Sequence, residues 1–300
     1  MKLLTCIYEG REHVGVETEG HIVLPMLDSS ASNLPADMLG VIAAGEEALA
    51  ALGGFITTSP ESCRIPMTEV ELLAPIPRPT SNVVCLGWNY VEHIEESADA
   101  RVHDSKLPDH PVVFTKAVSS VTGPYDEIPF DKDFSTEMDW EVELGVIIGK
   151  PGRKIPRDDA LSHIFGYTVI NDISIRDVQF RHQQFFLGKS ADGACPMGPH
   201  IVTADEIDDP QNLDLSCRIN GETKQSSNTR YMIFDIAQTI SILSKGMTLR
   251  AGDIIATGTP SGVGFARKPP EFLKPGDVVE CEVERVGSIR NYITERKELA

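Results

Sequence analysis

The chain has 300 residues, of which 41% are apolar and 24% charged, the balance of a folded globular protein rather than a disordered one. Its 27 Lys and Arg against 45 Asp and Glu give a formal net charge of −18 at pH 7. Such a chain repels phosphate backbones, which argues against nucleic-acid binding as its main activity. The length predicts about two domains.

The N-terminal region has the pattern of short strands, with turns at Gly10 and Gly20, followed by a helix predicted from Pro35 to Leu52 and ending at Gly53. The first apolar stretch is interrupted by Glu9 and is too short for a signal sequence or a membrane span. The six cysteines are scattered without C-x-x-C spacing, so neither a zinc module nor a disulfide framework is indicated. We therefore expect a cytoplasmic protein with reduced thiols and no membrane segment.

A proline-rich segment, LLAPIPRPT at residues 72–80, follows this region. Each proline fixes φ and lacks an amide donor, so the segment is predicted to be an extended connector. We place a domain boundary there, between a small N-terminal α/β domain, residues 1–72, and a larger domain, residues 73–300.

The larger domain is rich in strand patterns. Residues 213–220 alternate between apolar and polar side chains and end in Asn220-Gly221, which favours a hairpin turn, and residues 279–284 alternate in the same way. Residues 233–246, IFDIAQTISILSKG, have helical periodicity and stop at a glycine. These patterns predict an α+β, strand-rich fold, and no Gly-rich phosphate loop follows a strand to suggest nucleotide binding.

The segment DWEVELGVIIGK, residues 139–150, contains two acids two positions apart. On a strand, Glu141 and Glu143 point to one face, while the apolar residues between and after them point to the other. Such a pair is often an exposed polar face, because Glu is mostly a surface residue. Two close carboxylates repel each other, however, and no Lys or Arg neighbours them in this strand, so a bound cation is a second interpretation.

A third acid, Asp172, ends the apolar run in YTVINDISIRDVQ, and Arg176 and Gln179 would share a face if a helix starts there. Three carboxylates form an all-oxygen ligand set, which favours Mg²⁺ or Mn²⁺ over Zn²⁺ and leaves coordination positions for water or substrate.

Seven ordered blocks resemble the fumarylacetoacetate hydrolase family over roughly residues 72–290: CLGWNYVEH, HPVVFTK, DWEVELGVIIG, FGYTVINDISIRDVQ, GKSADGACPMGP, SKGMTL and GDIIATGTPSGVG. Within that family the chain is most similar to the bacterial oxaloacetate decarboxylase and acylpyruvate hydrolase branch. The resemblance implies a mixed β-sandwich or roll of the family's C-terminal-domain type and a homodimer. It also implies that Glu141, Glu143 and Asp172 bind the metal.

The resemblance assigns further residues. His93 and Glu96 match the family's H-x-x-E element, with His93 as general base oriented by Glu96, although such a pair is commonly a solvated helix face. Lys189 matches a substrate-facing catalytic lysine, and Arg176 and Gln179 match polar pocket residues. Thr259, in ATGTPSGVG, is expected to bind a substrate carboxylate; the alternative is a simple turn.

The resemblance implies a small-molecule 2-oxo acid substrate that chelates the metal and is cleaved between C3 and C4 through a pyruvate enolate. Oxaloacetate decarboxylation and acylpyruvate hydrolysis share this chemistry, and keto-enol tautomerisation would be a side activity. Alternatives are an isomerase, decarboxylase or dehydratase of aromatic-degradation or sugar-acid intermediates, or a catalytically silent metal-binding scaffold or regulatory partner. The charged segment at residues 95–111 is predicted to be a lid loop over the distal end of the substrate.

Overall fold

The structure is a computed structural model that describes residues 1–31, 33–100 and 106–296. Its strands in chain order are β1 (Lys2–Tyr8), β2 (Arg11–Thr18), β3 (His21–Val23), β4 (Arg64–Pro66), β5 (Glu71–Leu72), β6 (Val83–Gly87), β7 (Val112–Lys116), β8 (Val121–Thr122), β9 (Glu127–Phe130), β10 (Met138–Asp139), β11 (Val142–Ile148), β12 (Ile164–Asn171), β13 (Ser174–Ile175), β14 (Cys195–Thr203), β15 (Asp214–Ile219), β16 (Glu222–Asn228), β17 (Ile254–Ala256), β18 (Val278–Val283) and β19 (Gly287–Glu295). Its α-helices are α1 (Met38–Ala44), α2 (Glu46–Thr58), α3 (Val91–Asp99), α4 (Arg176–Arg181), α5 (Phe186–Lys189) and α6 (Ile236–Gly246).

Two sheets form the body of the molecule. The larger follows the order β4-β3-β2-β1-β14-β12-β11-β17-β6-β7, with β5 paired to β1 and β8 to β14, and the smaller follows β16-β15-β18-β19-β9. Alternate residues of β11 and β12, such as Val142 and Val169, pack with those of β15 and β18, such as Cys217 and Val279, in one buried core. This packing of two sheets confirms the predicted α+β, strand-rich sandwich, and no closed barrel forms within the described ranges.

The predicted hairpin is also present. Strands β15 and β16 pair in antiparallel register, and the turn residues Asn220 and Gly221 have φ of 52° and 82°. Both values lie in the left-handed region that the Asn-Gly dipeptide tolerates. Helix α6 ends at Gly246 as expected, but it begins at Ile236, where Asp235 accepts a hydrogen bond from the amide of Gln238 and caps the helix.

The N-terminal residues extend the larger sheet, since β1 pairs with β14 in antiparallel register. Helices α1 and α2 cover the other face of this sheet, with Ile42 and Leu52 packed in the same cluster as Ile147 of β11. The domain boundary near residue 72 stays a prediction.

The single helix predicted from Pro35 to Leu52 was wrong. The chain breaks at Gly45, whose φ of 57° and ψ of −129° are incompatible with a continuous helix, and α2 then continues through Gly53 and Gly54 to Thr58. The helix stops before Ser59-Pro60, because a proline disfavours helical backbone in the residue before it. No single described helix could cross a membrane; α1 and α2 pass that test of length and composition only as a pair, bent by 113°.

The segment predicted as a lid loop, residues 95–111, is partly helical. Residues 95–99 form the second half of helix α3, so the loop prediction was wrong for them. They continue the amphipathic pattern that begins in the first turn of this helix. Arg101 and His103 lie outside the described residues. Lys106 is described, and its Nζ lies 3.3 Å from Oδ2 of Asp109.

Candidate active site

Backbone pairing brings the three predicted metal ligands together. In the β11–β12 ladder Val142 pairs with Asn171, and the amide of Asp172 donates to the carbonyl of Glu141 at 2.9 Å. The side chain of Asn171 also accepts from the amide of Glu141 at 3.0 Å. The antiparallel register therefore places Glu141, just before β11, beside Asp172, just after β12.

The three carboxylates are buried and close. Glu141 is 4% exposed, Glu143 and Asp172 are fully buried, and one oxygen from each lies within 4.8 Å of the others. Oε2 of Glu143 accepts from the amide of Gly258 at 2.8 Å, but its Oε1 is buried without a hydrogen-bond partner. An orphaned carboxylate oxygen beside two other acids fits a hard divalent cation, which would satisfy that oxygen.

Three cationic side chains from distant parts of the chain also reach this cluster. Lys189 Nζ lies 2.8 Å from both Glu141 Oε2 and Asp172 Oδ2, and Lys116 Nζ lies 2.6 Å from Asp172 Oδ1. Arg176 lies 2.8 Å from Glu141 Oε1. Along the strand no Lys or Arg lies next to the acids. In three dimensions the expectation that the acids lack cationic neighbours was wrong, because these side chains reach them from β7, α4 and α5.

The cations are unequally distributed, so the pKa values of the two glutamates shift in opposite directions. Burial alone would raise the pKa of Glu141, but Lys189 and Arg176 lower it to about 2. Burial, together with the charges of Asp172 and Glu141, raises the pKa of Glu143 well above its usual range. Glu143 is thus the carboxylate that most lacks a positive partner.

His93 and Glu96 form a hydrogen-bonded pair on α3. Nδ1 of His93 lies 2.6 Å from Oε1 of Glu96, and Oε2 of Glu96 accepts from the amide of Gly262 at 2.8 Å. A carboxylate accepts only, so Nδ1 carries the proton and Nε2 is the nitrogen left for proton transfer. His93 is 5% exposed and lines the same cavity as Glu141, so the solvated-face interpretation does not describe it.

The glycine-rich segment after β17 holds three acids through its backbone. Besides the bonds of Gly258 to Glu143 and of Gly262 to Glu96, the amide of Gly264 donates to Asp139 at 2.7 Å. At Gly262, φ is +105° and an added Cβ would lie 2.1 Å from the carbonyl oxygen of Lys224. Only glycine fits this close approach.

The predicted pocket residues have different environments. Arg176 donates to Asp139 at 2.7 Å and to Gln179 at 3.0 Å, on a helix that begins at Arg176. The hydroxyl of Thr259 donates to the carbonyl of Val142 at 3.0 Å and accepts from Gln225 at 2.8 Å, so its proton is already used within the protein. All three residues, Thr259 included, line the cavity.

A small cavity of about 20 Å³ lies among these groups. It is bounded by Glu141, Lys189, Arg176, Gln179, His93 and Thr259, and by aromatic rings that the sequence analysis did not assign: Trp88, Phe114, Phe180, Phe185 and Phe265. The volume suits about one water molecule, so these rings must move to admit a substrate. Lys116 and Asp139 were missed as well, although both lie in or beside the quoted blocks HPVVFTK and DWEVELGVIIG.

The family model described as fumarylacetoacetate (FAA) hydrolase C-terminal matches residues 82–294. This chain belongs to the fumarylacetoacetate hydrolase family. It is 48% identical over 227 residues to the oxaloacetate tautomerase YisK of Bacillus subtilis strain 168, covering 76% of this chain and 74% of that protein. It is 43% identical over 283 residues to the mitochondrial oxaloacetate tautomerase FAHD2A of Homo sapiens, covering 94% and 87%.

Solved structures of the family share the whole fold. A fumarylacetoacetate hydrolase from Exiguobacterium antarcticum has a TM-score of 0.82 at 40% identity, covering 99% of this chain and 100% of that one. A maleylpyruvate hydrolase from Sphingobium sp. SYK-6, in complex with manganese(II) and pyruvate, has a TM-score of 0.80 at 29% identity with the same coverage. Family membership supports an enzyme, and the acidic cluster together with the manganese complex of this relative supports divalent-metal binding.

Proposed function

We propose that the protein is a divalent-metal-dependent enzyme that interconverts the keto and enol forms of oxaloacetate. The observation that carries this proposal is the orphaned Oε1 of Glu143, which lies in a buried triad of acids beside a cavity that also contains the His93–Glu96 pair. A candidate cation site and a proton-transfer group therefore meet at one cavity, which Glu141 and His93 both line.

Glu141, Glu143 and Asp172 would hold Mg²⁺ or Mn²⁺. When bound, the cation would polarise a chelating 2-oxo carboxylate and favour negative charge on its 2-oxo oxygen. The set of residues does not distinguish the two ions, because both prefer carboxylate ligands.

The chain's own residues supply the proton transfer. Glu96 holds the Nδ1 proton of His93, which leaves Nε2 as the base that removes a proton from C3. Protonation of the 2-oxo oxygen by the imidazolium or by solvent then gives the enol, and the reverse steps return a proton to C3. Glu96 would stabilise the imidazolium formed, and its own position is fixed by the amide of Gly262. Lys189, which lines the cavity, would bring positive charge to the enolate oxygen.

Two points favour tautomerisation over the C–C cleavage expected from the sequence. Tautomerisation needs one base and no attacking water, and the His93–Glu96 pair supplies such a base. The two curated relatives described above, at 48% and 43% identity, are oxaloacetate tautomerases. Acylpyruvate hydrolysis remains the second candidate, because a histidine paired with a carboxylate can also activate water, and a maleylpyruvate hydrolase shares the fold.

A substrate panel with purified protein and Mn²⁺ or Mg²⁺ tests the proposal. Decay of the enol absorbance of oxaloacetate, release of CO₂ from oxaloacetate, and cleavage of acetylpyruvate and fumarylpyruvate are measured separately. We expect accelerated enol decay that chelation abolishes and added metal restores. Turnover confined to acetylpyruvate or fumarylpyruvate would favour the hydrolase, and no turnover of any substrate would overturn the assignment.

The proposal includes a small 2-oxo acid as substrate and a homodimer as the assembly, with neither nucleic acid nor a membrane as partner. A cytoplasmic location stays a prediction, since the human relative is described as mitochondrial.

A further inference from the structure

The two buried lysines at the acidic cluster contact opposite oxygens of one carboxylate. Lys116 lies 2.6 Å from Oδ1 of Asp172, whereas Lys189 lies 2.8 Å from Oδ2. Lys189 also lies 2.8 Å from Oε2 of Glu141, so its ammonium bridges two of the three acids assigned to the metal. The bridging ammonium therefore offsets the mutual repulsion of these two carboxylates.

We propose that Lys189 is an exchangeable internal counterion that holds the site together without metal and yields its place to the incoming cation, whereas Lys116 is a fixed positioning residue that keeps Asp172 oriented for the metal. This inference rests on the metal site of the proposed function.

The surroundings of Lys116 fix it in place. Its Nζ donates to the carbonyl of Ile173 at 3.0 Å as well as to Asp172, and its side chain is fully buried at the end of β7. Because Lys116 is bound to both Asp172 and the next residue, Ile173, it holds the Asp172 carboxylate in one orientation. In that orientation Oδ2 and Oε2 of Glu141 both contact Lys189. Lys116 is absent from the cavity lining, whereas Lys189 is part of it.

The surroundings of Lys189 allow it to move. It ends α5, a helix of four residues whose Phe186 and Leu187 are 41% and 54% exposed, and it lines the cavity. Its Nζ also lies 4.9 Å from the ring centroid of Phe114, which provides a cation–π contact on the cavity side. A lysine side chain is flexible enough to leave two carboxylates and remain near this ring.

The charges favour such an exchange. The cluster of Asp139, Glu141, Glu143 and Asp172 contains four carboxylates, which contact three cations among the described residues: Lys116, Arg176 and Lys189. Glu143 contacts none of the three and has the orphaned oxygen. A divalent ion can reach Glu143 together with Glu141 and Asp172 only if the bridging ammonium withdraws, since like charges that share two oxygens repel each other strongly. Lys189 would then be available to the substrate.

Calorimetric titration of the metal-free protein with Mn²⁺, without substrate, tests the inference. Lys189→Met and Lys189→Gln should tighten Mn²⁺ binding by about tenfold or more, because the competing charge is gone. Lys116→Met should weaken it by about tenfold or more, as loss of a residue that orients a ligand does. Lys150→Met, at an exposed lysine, should leave the affinity unchanged.

The Lys189 and Lys116 variants should change Mn²⁺ affinity in opposite directions, and this difference tests the inference. If both lysine variants tighten binding equally, the lysines act only through general electrostatics and the inference is overturned; if Lys189→Met weakens binding, Lys189 supports the metal instead of competing with it. Wild-type protein that binds no Mn²⁺ would overturn the metal site itself, a distinct failure. Should the variants fold poorly, a crystal structure of the wild type with Mn²⁺ must show Lys189 Nζ withdrawn from Asp172 Oδ2, and an unmoved Lys189 would refute the exchange.

Discussion

The imidazole Nδ1 of His93 lies 2.6 Å from Oε1 of Glu96, one helical turn further along α3, and this contact fixes which ring nitrogen can act as a base. The i and i+3 spacing places both side chains on one face of the helix. The exposed Glu95 lies between them in sequence but on another face. The pair therefore comes with a matched control.

Replacing His93 by Gln should lower kcat/KM for oxaloacetate tautomerisation by roughly 10²- to 10⁴-fold, the usual contribution of a general base. Glu96→Gln should have a smaller effect, because the amide oxygen can still accept from Nδ1, although the amide NH2 cannot accept from Gly262 and the neutral side chain does not stabilise the imidazolium. Glu95→Gln should behave as wild type in the same enol-absorbance assay. Full activity of His93→Gln would show that His93 is not the base.

Gly262 should be intolerant of a side chain. In Gly262→Ala the new Cβ would lie 2.1 Å from the carbonyl of Lys224, which displaces the amide that holds Glu96. We expect a drop in kcat of at least about tenfold, as for other residues that orient a reacting group. Gly221→Ala has a similar positive φ of 82° but no atom within 4 Å of the added Cβ, so it should cost about 1 kcal/mol of stability without changing kcat. Equal kcat values for the two variants would contradict this role of Gly262.

Glu143→Gln should separate metal binding from stability. The pKa of Glu143 is raised, so in metal-free protein its contribution to stability is present below the ordinary pKa of 4.5 and is lost as the pH rises above it. In chelator at neutral pH, Glu143→Gln should therefore unfold at the same temperature as wild type or higher, yet fail to gain stability from Mn²⁺. Thermal unfolding with and without metal measures both effects, with Glu47→Gln, at an exposed glutamate, as control. A metal-free variant that is clearly less stable would show that a partner already neutralises Glu143.

Glu17 should contribute to stability at neutral pH through the buried His200. Oε2 of Glu17 lies 2.8 Å from Nδ1 of His200, and this close contact lowers the pKa of Glu17 despite partial burial. A lowered pKa gives stability that is present above the ordinary pKa of 4.5 and lost as the pH falls through the folded value. Glu17→Gln should thus cost about 1 kcal/mol at pH 7 and progressively less below about pH 4. Denaturant unfolding over this range, compared with the exposed Glu19→Gln, checks it; a cost that does not change with pH would refute the ionic contribution.

The sequence by itself determined the features that depend on local geometry. Strand alternation through residues 139–150 predicts that Glu141 and Glu143 share a face, and the Asn220-Gly221 dipeptide predicts its hairpin turn. The spacing of His93 and Glu96 is compatible with their contact, but the family resemblance is what assigned the pair. For the strand face and the turn the local pattern is enough, because the interacting residues are within a few positions of each other.

Only the tertiary structure decided the charge balance and the shape of the site. Lys116 and Lys189 reach Asp172 across 56 and 17 positions of the chain, and the aromatic rings around the cavity come from five separate positions between residues 88 and 265. Their contacts depend on sheet order and on loops between strands, which no local period encodes. The same holds for the three acids: local pattern predicts a carboxylate pair, but the pairing of β11 with β12 brings Asp172 beside it and leaves Glu143 without a positive partner.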